Sequence, residues 1–149
     1  MKLAIKLAAE NVAADGGPFA AVVVRDGHVI ATGVNRVTAT NDPTAHAEIV
    51  AIRKACDALG TFQLGGCDIY ASCEPCPMCL SAIYWARASA VYYAATKEDA
   101  AAAGFADAFI YEELALPSQA RKLKMVHMAT DDAAQSFRLW ASKGDRVDY

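Results

Sequence analysis

The sequence predicts an α/β protein in which helices pack on both faces of a mixed β-sheet. Two short apolar runs, residues 19–24 and 28–34, flank Asp26-Gly27, a dipeptide typical of β-hairpin turns. Beyond this hairpin, strand-like and helix-like segments alternate along the chain, which favours helices on either side of a sheet. The chain has 149 residues, of which 55% are hydrophobic and 21% charged, so a sizeable core is expected and disorder is not.

The first half of the chain is expected to place the hairpin between two helices. Apolar residues spaced among alanines predict an opening helix over residues 2–14, and the turn-forming segment 15–18 ends it. The two hairpin strands come next. A polar loop at 38–44 then leads into a second helix over residues 45–59.

The second half of the chain alternates strands and helices. We expect, in chain order, a strand at 67–72, a helix at 76–86, a strand at 90–95, a helix at 97–103, a loop at 104–109 and a weaker fifth strand at 123–128. Asp131 and Asp132 predict the start of the last helix, because acidic residues suit its positive N-terminal end. A polar tail at 144–149 follows. Since no linker or repeat interrupts the pattern, residues 1–149 are expected to form a single domain.

The charge of the chain favours a small-molecule substrate over a polynucleotide. The formal net charge is −3 and the pI is about 5.5, whereas proteins that grip nucleic acid usually carry a basic patch. The densest basic segment, 121–124, is interpreted as a solvated face. No apolar run indicates a signal peptide or a membrane span, and we expect a cytoplasmic protein.

The five cysteines indicate reduced thiols and a metal rather than disulfides. Their number is odd, and three of them fall within residues 73–79. His46-Ala47-Glu48 and Pro75-Cys76-Pro77-Met78-Cys79 together form the spacing H-x-E … P-C-x-x-C, which is the signature of zinc-dependent nucleobase deaminases. A structural zinc has four protein ligands, whereas a catalytic zinc keeps one position for water. The pattern therefore predicts a hydrolytic enzyme that removes an amino group from a heterocyclic ring.

The expected chemistry divides the motif into ligands and a proton carrier. His46, Cys76 and Cys79 are predicted to bind one Zn2+, whose bound hydroxide attacks the ring carbon. Glu48 is too close in sequence to His46 to share the same coordination easily. It is predicted to shuttle the water proton to the ring and to the leaving amine, a role worth about 10²–10⁴-fold in rate.

Two other interpretations of the cysteines remain open at this point. A C-x-x-C pair occurs in redox proteins, although that interpretation gives no role to His46. Alternatively, Cys73 is a fourth ligand beside His46, Cys76 and Cys79, and the chain is a zinc-stabilised binding module without turnover. This hypothesis leaves Glu48 without a function.

Beyond the metal motif, the sequence resembles the cytidine and deoxycytidylate deaminase superfamily, and within it the small guanine deaminases. The segments that carry the resemblance are 41–48, 73–79, 16–19, 83–87, 103–107 and 109–111. The resemblance implies a three-layer α/β/α sandwich around a five-stranded mixed sheet. It further implies hydrolysis of guanine to xanthine and ammonia, as part of purine metabolism.

The resemblance also implies a substrate pocket. Asn35 is similar to a residue that hydrogen-bonds the purine. Phe19, His46 and Trp85 are similar to residues that wall the ring, and the backbone of Ala47 to another polar contact. Judged by their surroundings alone, Phe19 and Trp85 are more consistent with core residues, and Asn35 with a turn residue.

Two further expectations concern catalysis and assembly. Asp107 is similar to a second carboxylate that helps to move the proton to the leaving amine, although without the resemblance a loop aspartate is more consistent with a solvated position. Tyr149 is similar to a residue that closes the site in a homodimer, in which the tail 144–149 is exchanged between subunits.

The nearest rival activities use the same zinc chemistry. A tRNA adenosine deaminase shares the segment 42–48 but must extrude a base from a charged loop, which the acidic pI disfavours. Deamination of guanosine or of another aminated heterocycle also stays open, since the pocket rather than the metal decides the substrate.

Overall fold

The computed structural model describes residues 1–148, and Tyr149 lies outside the described residues. The chain divides into two compact units, Met1–Ile110 and Tyr111–Tyr149. None of the helices formed by residues 1–148 has the length and apolar character required for a bilayer span.

The first unit contains a mixed sheet and its covering helices. Its elements are α1 (Lys2–Ala13), β1 (Ala20–Arg25), β2 (His28–Val34), α2 (Val37–Thr40), α3 (Ala47–Leu59), β3 (Cys67–Cys73), α4 (Pro77–Trp85), β4 (Ala90–Ala95) and α5 (Lys97–Ala102). The strand order is β2-β1-β3-β4. β1 is antiparallel to β2 and β3, and β3 is parallel to β4. The α/β prediction with a mixed sheet is therefore confirmed.

The hairpin forms at the predicted turn. Asp26 and Gly27 both adopt positive φ angles, 50° and 77°, as a two-residue hairpin turn of this kind requires. The predicted loop at 38–44 is partly wrong, because α2 already begins at Val37. One short turn of helix thus precedes the segment that leads into α3.

Helices cover both faces of this sheet. Ala21 and Val23 of β1 pack with Ile69 of β3 and with α3 in one buried cluster. Since side chains alternate along a strand, the buried Val22 points to the opposite face. α1 contacts β1 and β3, and its buried residues Ala4 and Ala8 are separate from the α3 cluster, which places α1 on that opposite face.

The predicted fifth strand is wrong: over residues 1–148 the sheet has four strands. Residues 124–130 have no regular secondary structure, and Leu123, Met125, Val126 and Met128 are all exposed. A strand satisfies its backbone groups only through a neighbouring strand. Within the described chain this segment pairs with none, so its apolar residues do not produce a strand.

The second unit contains little regular structure in its described part. α6 (Ala108–Ala115) contains the boundary between the units, and a 3₁₀ turn at Ser118–Ala120 and α7 (Gln135–Ser142) follow. The guanidinium of Arg121 donates hydrogen bonds to the carbonyls of Leu114 and Leu116 at 3.2 and 3.1 Å. α7 begins after the predicted start at Asp131, because residues 131–134 form turns first.

Candidate active site

Two helix starts in the first unit carry the predicted zinc motif. His46 is the N-cap of α3 and Cys76 is the N-cap of α4, both in extended conformation, with ψ of 156° and 167°. Pro77 is the first residue of α4, a position that tolerates its missing N–H and suits its fixed φ. The positive end of each helix therefore lies at the ligands, where it favours negative charge.

A glycine beneath α3 allows this arrangement. A Cβ atom on Gly33 of β2 would lie 2.2 Å from the Ala47 carbonyl oxygen and 2.5 Å from the Ala51 nitrogen. Only glycine permits such a close approach of a strand to the first turn of a helix. The lack of a side chain at Gly33 therefore lets β2 lie directly against the first turn of α3, which carries Glu48 and follows His46. Sequence reasoning missed this role, because a single glycine within a strand indicates a close approach without naming the partner.

The ligand atoms of His46, Cys76 and Cys79 lie within 4.8 Å of one another. The Nδ1 atom of His46 is 3.5 Å from the Sγ atom of Cys76. Zn–N bonds of about 2.0–2.1 Å and Zn–S bonds of about 2.3 Å set tetrahedral neighbours roughly 3.6 Å apart. The imidazole and thiol donors, in number and spacing, therefore fit one zinc ion with a position left for water.

Cys73 lies outside this group. Its thiol donates a hydrogen bond to the Thr96 carbonyl, with Sγ 3.4 Å from the oxygen, and burial raises its pKa. Among the described residues, the side chains close enough to share one metal ion are those of His46, Cys76 and Cys79, without Cys73. The arrangement supports the three-ligand interpretation over a closed site with four ligands.

A hydrogen bond links the side chains of the two cysteine ligands. The thiol of Cys79 donates to Cys76, and this bond, with a further contribution from His46, lowers the pKa of Cys76 to about 4. The same bond and burial raise the pKa of Cys79. The hydrogen bond between His46 and Cys76 raises the pKa of the His46 imidazole. Because metal ligation requires deprotonated ligands, zinc binding displaces the protons held in this group.

Glu48 lies beside the ligands without joining them. Its side chain is buried, with 8% of the residue exposed, and burial raises its pKa. A carboxyl group whose pKa is shifted towards neutrality suits general acid–base catalysis. Burial beside a metal group thus gives this glutamate the properties of a proton carrier.

A cavity of about 600 Å³ opens onto the metal group. Of the predicted site residues it is lined by Phe19, Asn35, His46, Glu48, Cys76 and Asp107. Cys79 lies behind this wall with its side chain fully buried. The structure therefore gathers most of the predicted site into one pocket of the first unit.

Phe105 is a pocket residue that sequence reasoning did not single out. Its ring meets Phe19 edge-on, with centroids 4.9 Å apart and an interplanar angle of 85°, and it lines the cavity. Gly104, with a φ of 92°, turns the chain before it. The aromatic side chain next to this glycine was the available signal, but a loop residue's partner cannot be predicted from spacing.

Asp107 lies at the same cavity, partly buried. Burial is the main cause that raises its pKa, and the charge of Cys76 adds to the effect. The second predicted carboxylate is therefore electrostatically linked to the metal group.

Two predicted contact residues, Trp85 and Ala47, do not line this cavity. Trp85 is 67% exposed and lines a separate shallow depression with Ser81, Tyr84 and Arg87. Ala47 is buried and does not line the cavity, although its N–H belongs to the first turn of α3, where helices leave donors without intrahelical acceptors. Tyr149 lies outside the described residues.

Known proteins share both the motif and the fold. The family model of the cytidine and deoxycytidylate deaminase zinc-binding region matches residues 1–95. A guanine deaminase from Bacillus subtilis is 52% identical over 100% of this chain and 96% of its own. A tRNA-specific adenosine deaminase from Agrobacterium fabrum is 50% identical, over 64% of this chain and 62% of its own.

A solved structure extends the similarity to three dimensions. The X-ray structure of guanine deaminase from Bacillus subtilis superposes with a TM-score of 0.97 at 52% identity. The superposition covers 99% of this chain and 95% of that one. The similarity thus reaches beyond residue 95 and includes the segment with Phe105 and Asp107.

Proposed function

We propose that this chain, which belongs to the cytidine and deoxycytidylate deaminase family of zinc-binding proteins, hydrolyses guanine to xanthine and ammonia. The observation that carries the proposal is that one cavity is lined by residues of the metal group and also by Asn35, Asp107 and Glu48, which is not a member of that group. Similarity to a guanine deaminase over the whole chain supports it. The similarity to a tRNA-specific adenosine deaminase covers only 64% of the chain.

The metal group and two carboxylates divide the chemical work. His46, Cys76 and Cys79 would hold zinc, which when bound makes water a nucleophile near neutral pH. Glu48 accepts the water proton and delivers it to the ring, because its burial favours the protonated form at that moment. Asp107 assists the proton transfer to the leaving amine, which must be protonated to depart.

The pocket wall recognises the purine. The Oδ1 atom of Asn35 accepts a hydrogen bond from the Val37 N–H at 3.2 Å, so its amide NH2 is the end that donates to a ring acceptor. Phe19 and Phe105 offer apolar surface to a flat ring. The Ala47 N–H and Tyr149 are further proposed substrate contacts, whereas Trp85 lines a separate depression rather than this cavity.

Residues 1–149 act as one deaminase domain in a homodimer, with the tail 144–149 exchanged between subunits. The support is the exposure of the apolar side chains in the second unit, such as Leu123 and Met128, because large exposed apolar surfaces usually mark interaction sites. A cytoplasmic location is part of the same proposal, and all five cysteines are free thiols.

An absorbance assay of the purified zinc-loaded protein tests the substrate assignment. Guanine, guanosine, adenine, cytosine, cytidine and a tRNA anticodon stem are compared at equal enzyme concentration, with Glu48→Gln as the inactive control. We expect the highest kcat/KM for guanine, because a site built around a polar edge rejects rings that lack it. Higher efficiency on guanosine or on the tRNA stem would overturn the assignment.

A further inference from the structure

We propose that Asn11, a residue of α1, is a positioning residue that holds Asn35 in place to bind the substrate. The inference rests on the proposed role of Asn35 in recognising the purine. Asn11 does not line the cavity, so its effect must pass through the residues that do.

The side-chain amide of Asn11 joins three separate parts of the first unit. Its Nδ2 atom donates one hydrogen bond to the Gly17 carbonyl at 2.7 Å and another to the Asn35 carbonyl at 3.0 Å. An amide NH2 group has two donors, and both are therefore used. The end of α1, the loop after it and the end of β2 are tied together at one group.

Two glycines of the pocket wall pack against the two asparagines. A Cβ atom on Gly16 would lie 2.4 Å from Nδ2 and 2.7 Å from Oδ1 of Asn11. A Cβ atom on Gly17 would lie 3.0 Å from Cγ of Asn35. The absence of side chains at Gly16 and Gly17 thus leaves room for Asn11 to reach Asn35 and for Asn35 to lie at the cavity.

Hydrogen bonds to the backbone and the side chain of Asn35 together determine where its amide group lies. The Asn35 N–H donates to the Phe19 carbonyl at 3.0 Å, and the Asn35 carbonyl accepts from Asn11. The side-chain Oδ1 accepts from the Val37 N–H. With the main chain held on both sides and Oδ1 occupied, the direction in which the NH2 group points is set.

A residue that only stabilises the fold and a positioning residue differ in the effects expected from their loss. Loss of a residue that only stabilises the fold lowers the melting temperature and affects every catalytic step alike. Loss of a positioning residue raises KM for guanine, leaves kcat nearly unchanged, and has no further effect once the Asn35 amide is gone. The two can be separated by a double-mutant cycle.

The experiment compares Asn11→Ala, Asn35→Ala and the double variant, each loaded with zinc. We expect Asn11→Ala to raise KM for guanine about tenfold, the scale of two lost hydrogen bonds, with kcat changed less than about twofold. In the Asn35→Ala background the same change should alter KM less than about twofold, because the group that Asn11 positions is absent.

Two further variants act on Asn11 by independent routes. Asn11→Asp keeps the shape but replaces both donors with an acceptor that faces two carbonyls, so its KM should rise at least as much. Gly16→Ala should reproduce the effect with Asn11 intact, because the new Cβ displaces the amide. Gly65→Ala, with nothing within 4 Å of the added Cβ, and Glu10→Gln, at an exposed position beside Asn11, are the matched controls.

The outcomes separate this inference from the proposed role of Asn35. An equal KM increase from Asn11→Ala in both backgrounds, or a normal KM in Asn11→Ala beside a raised KM in Asn35→Ala, would overturn the positioning role alone. A normal KM in Asn35→Ala would remove the substrate contact itself, and the inference with it.

Discussion

The two units of the chain bury their apolar residues to very different extents. In the first unit, Val23, Ile69 and their neighbours form a closed core, and the pocket lies at its edge. In the described part of the second unit no residue is buried, and Phe137, Leu123 and Met128 are 75%, 76% and 80% exposed. Both units contain large apolar side chains, but among the described residues only the first unit buries any of them fully.

This difference separates two kinds of contribution. A unit that closes its own core can hold a site rigidly, because packed neighbours fix each side chain. A unit whose apolar side chains stay exposed gains stability mainly from contacts with another surface. We therefore expect the chemistry and most of the stability to depend on the first unit, whereas the role proposed for the tail depends on a partner subunit.

The largest expected effect lies in the first unit, at Glu48. Glu48→Gln preserves the shape of the side chain but removes the proton carrier, so turnover of guanine should fall at least about 10²-fold. Zinc content, measured by elemental analysis, should stay at one per chain. Near-normal turnover with full zinc would assign the proton transfer to another group, with Asp107 the first to test.

The next effect concerns the second unit, through its tail. Removal of residues 145–149 should lower kcat/KM for guanine by about tenfold or more, because an uncovered site admits water and weakens its electrostatic contacts. Zinc content and melting temperature should remain close to those of the full chain, since terminal residues rarely support a core. Unchanged kcat/KM would show that the tail has no part in the reaction.

A mixing experiment tests whether this tail acts on the other subunit. The truncated protein has an intact catalytic site, and full-length Glu48→Gln has an intact tail, so a hybrid dimer combines both. Activity should recover partly after subunit exchange. With exchange confirmed by mass and activity still absent, the tail would instead act on its own subunit.

A pair of glycine variants compares the stability of the two units directly. Gly33→Ala forces a Cβ against the backbone of α3 and should lower the free energy of unfolding by about 1–3 kcal/mol, the scale of overpacking. Gly144→Ala adds a Cβ with nothing within 4 Å and should leave the free energy of unfolding nearly unchanged. Denaturant titration measures both, and a matched loss would show that the tail is packed in solution.

The same contrast explains how much could be predicted from sequence. The zinc motif, the hairpin at Asp26-Gly27 and the helices at α1 and α3 follow local rules of spacing and turn chemistry, and the structure confirms those elements. The segment 123–128 is rich in apolar residues, as a strand is, but a strand also needs a neighbouring strand, and the local sequence carries no information about one. For the same reason Phe105 and Asn11, whose roles depend on distant partners, were not identified.

The smallest expected effect is at the start of α5, next to the pocket loop. Thr96 and Asp99 form a capping box, in which the Thr96 hydroxyl accepts from the Asp99 N–H and the Asp99 carboxylate accepts from the Thr96 N–H. Thr96→Ala removes one of these bonds and should lower the free energy of unfolding by about 1 kcal/mol. Turnover should change less than about twofold, because neither residue lines the cavity.

The pH dependence of this capping box provides a control for the Thr96→Ala stability measurement. Hydrogen bonds from the backbone and then the hydroxyl of Thr96 lower the pKa of Asp99, so the folded state binds this proton less readily than the unfolded state. The stabilisation by the charged Asp99 carboxylate is therefore fully present above the pKa that Asp99 has in the unfolded state. It is lost as the pH falls through the pKa of Asp99 in the folded state. The stability difference between Thr96→Ala and the parent, measured by denaturant titration, should be constant near neutral pH and shrink in that acidic window. A difference that stays constant through the window would mean that the cap does not depend on the charge of Asp99.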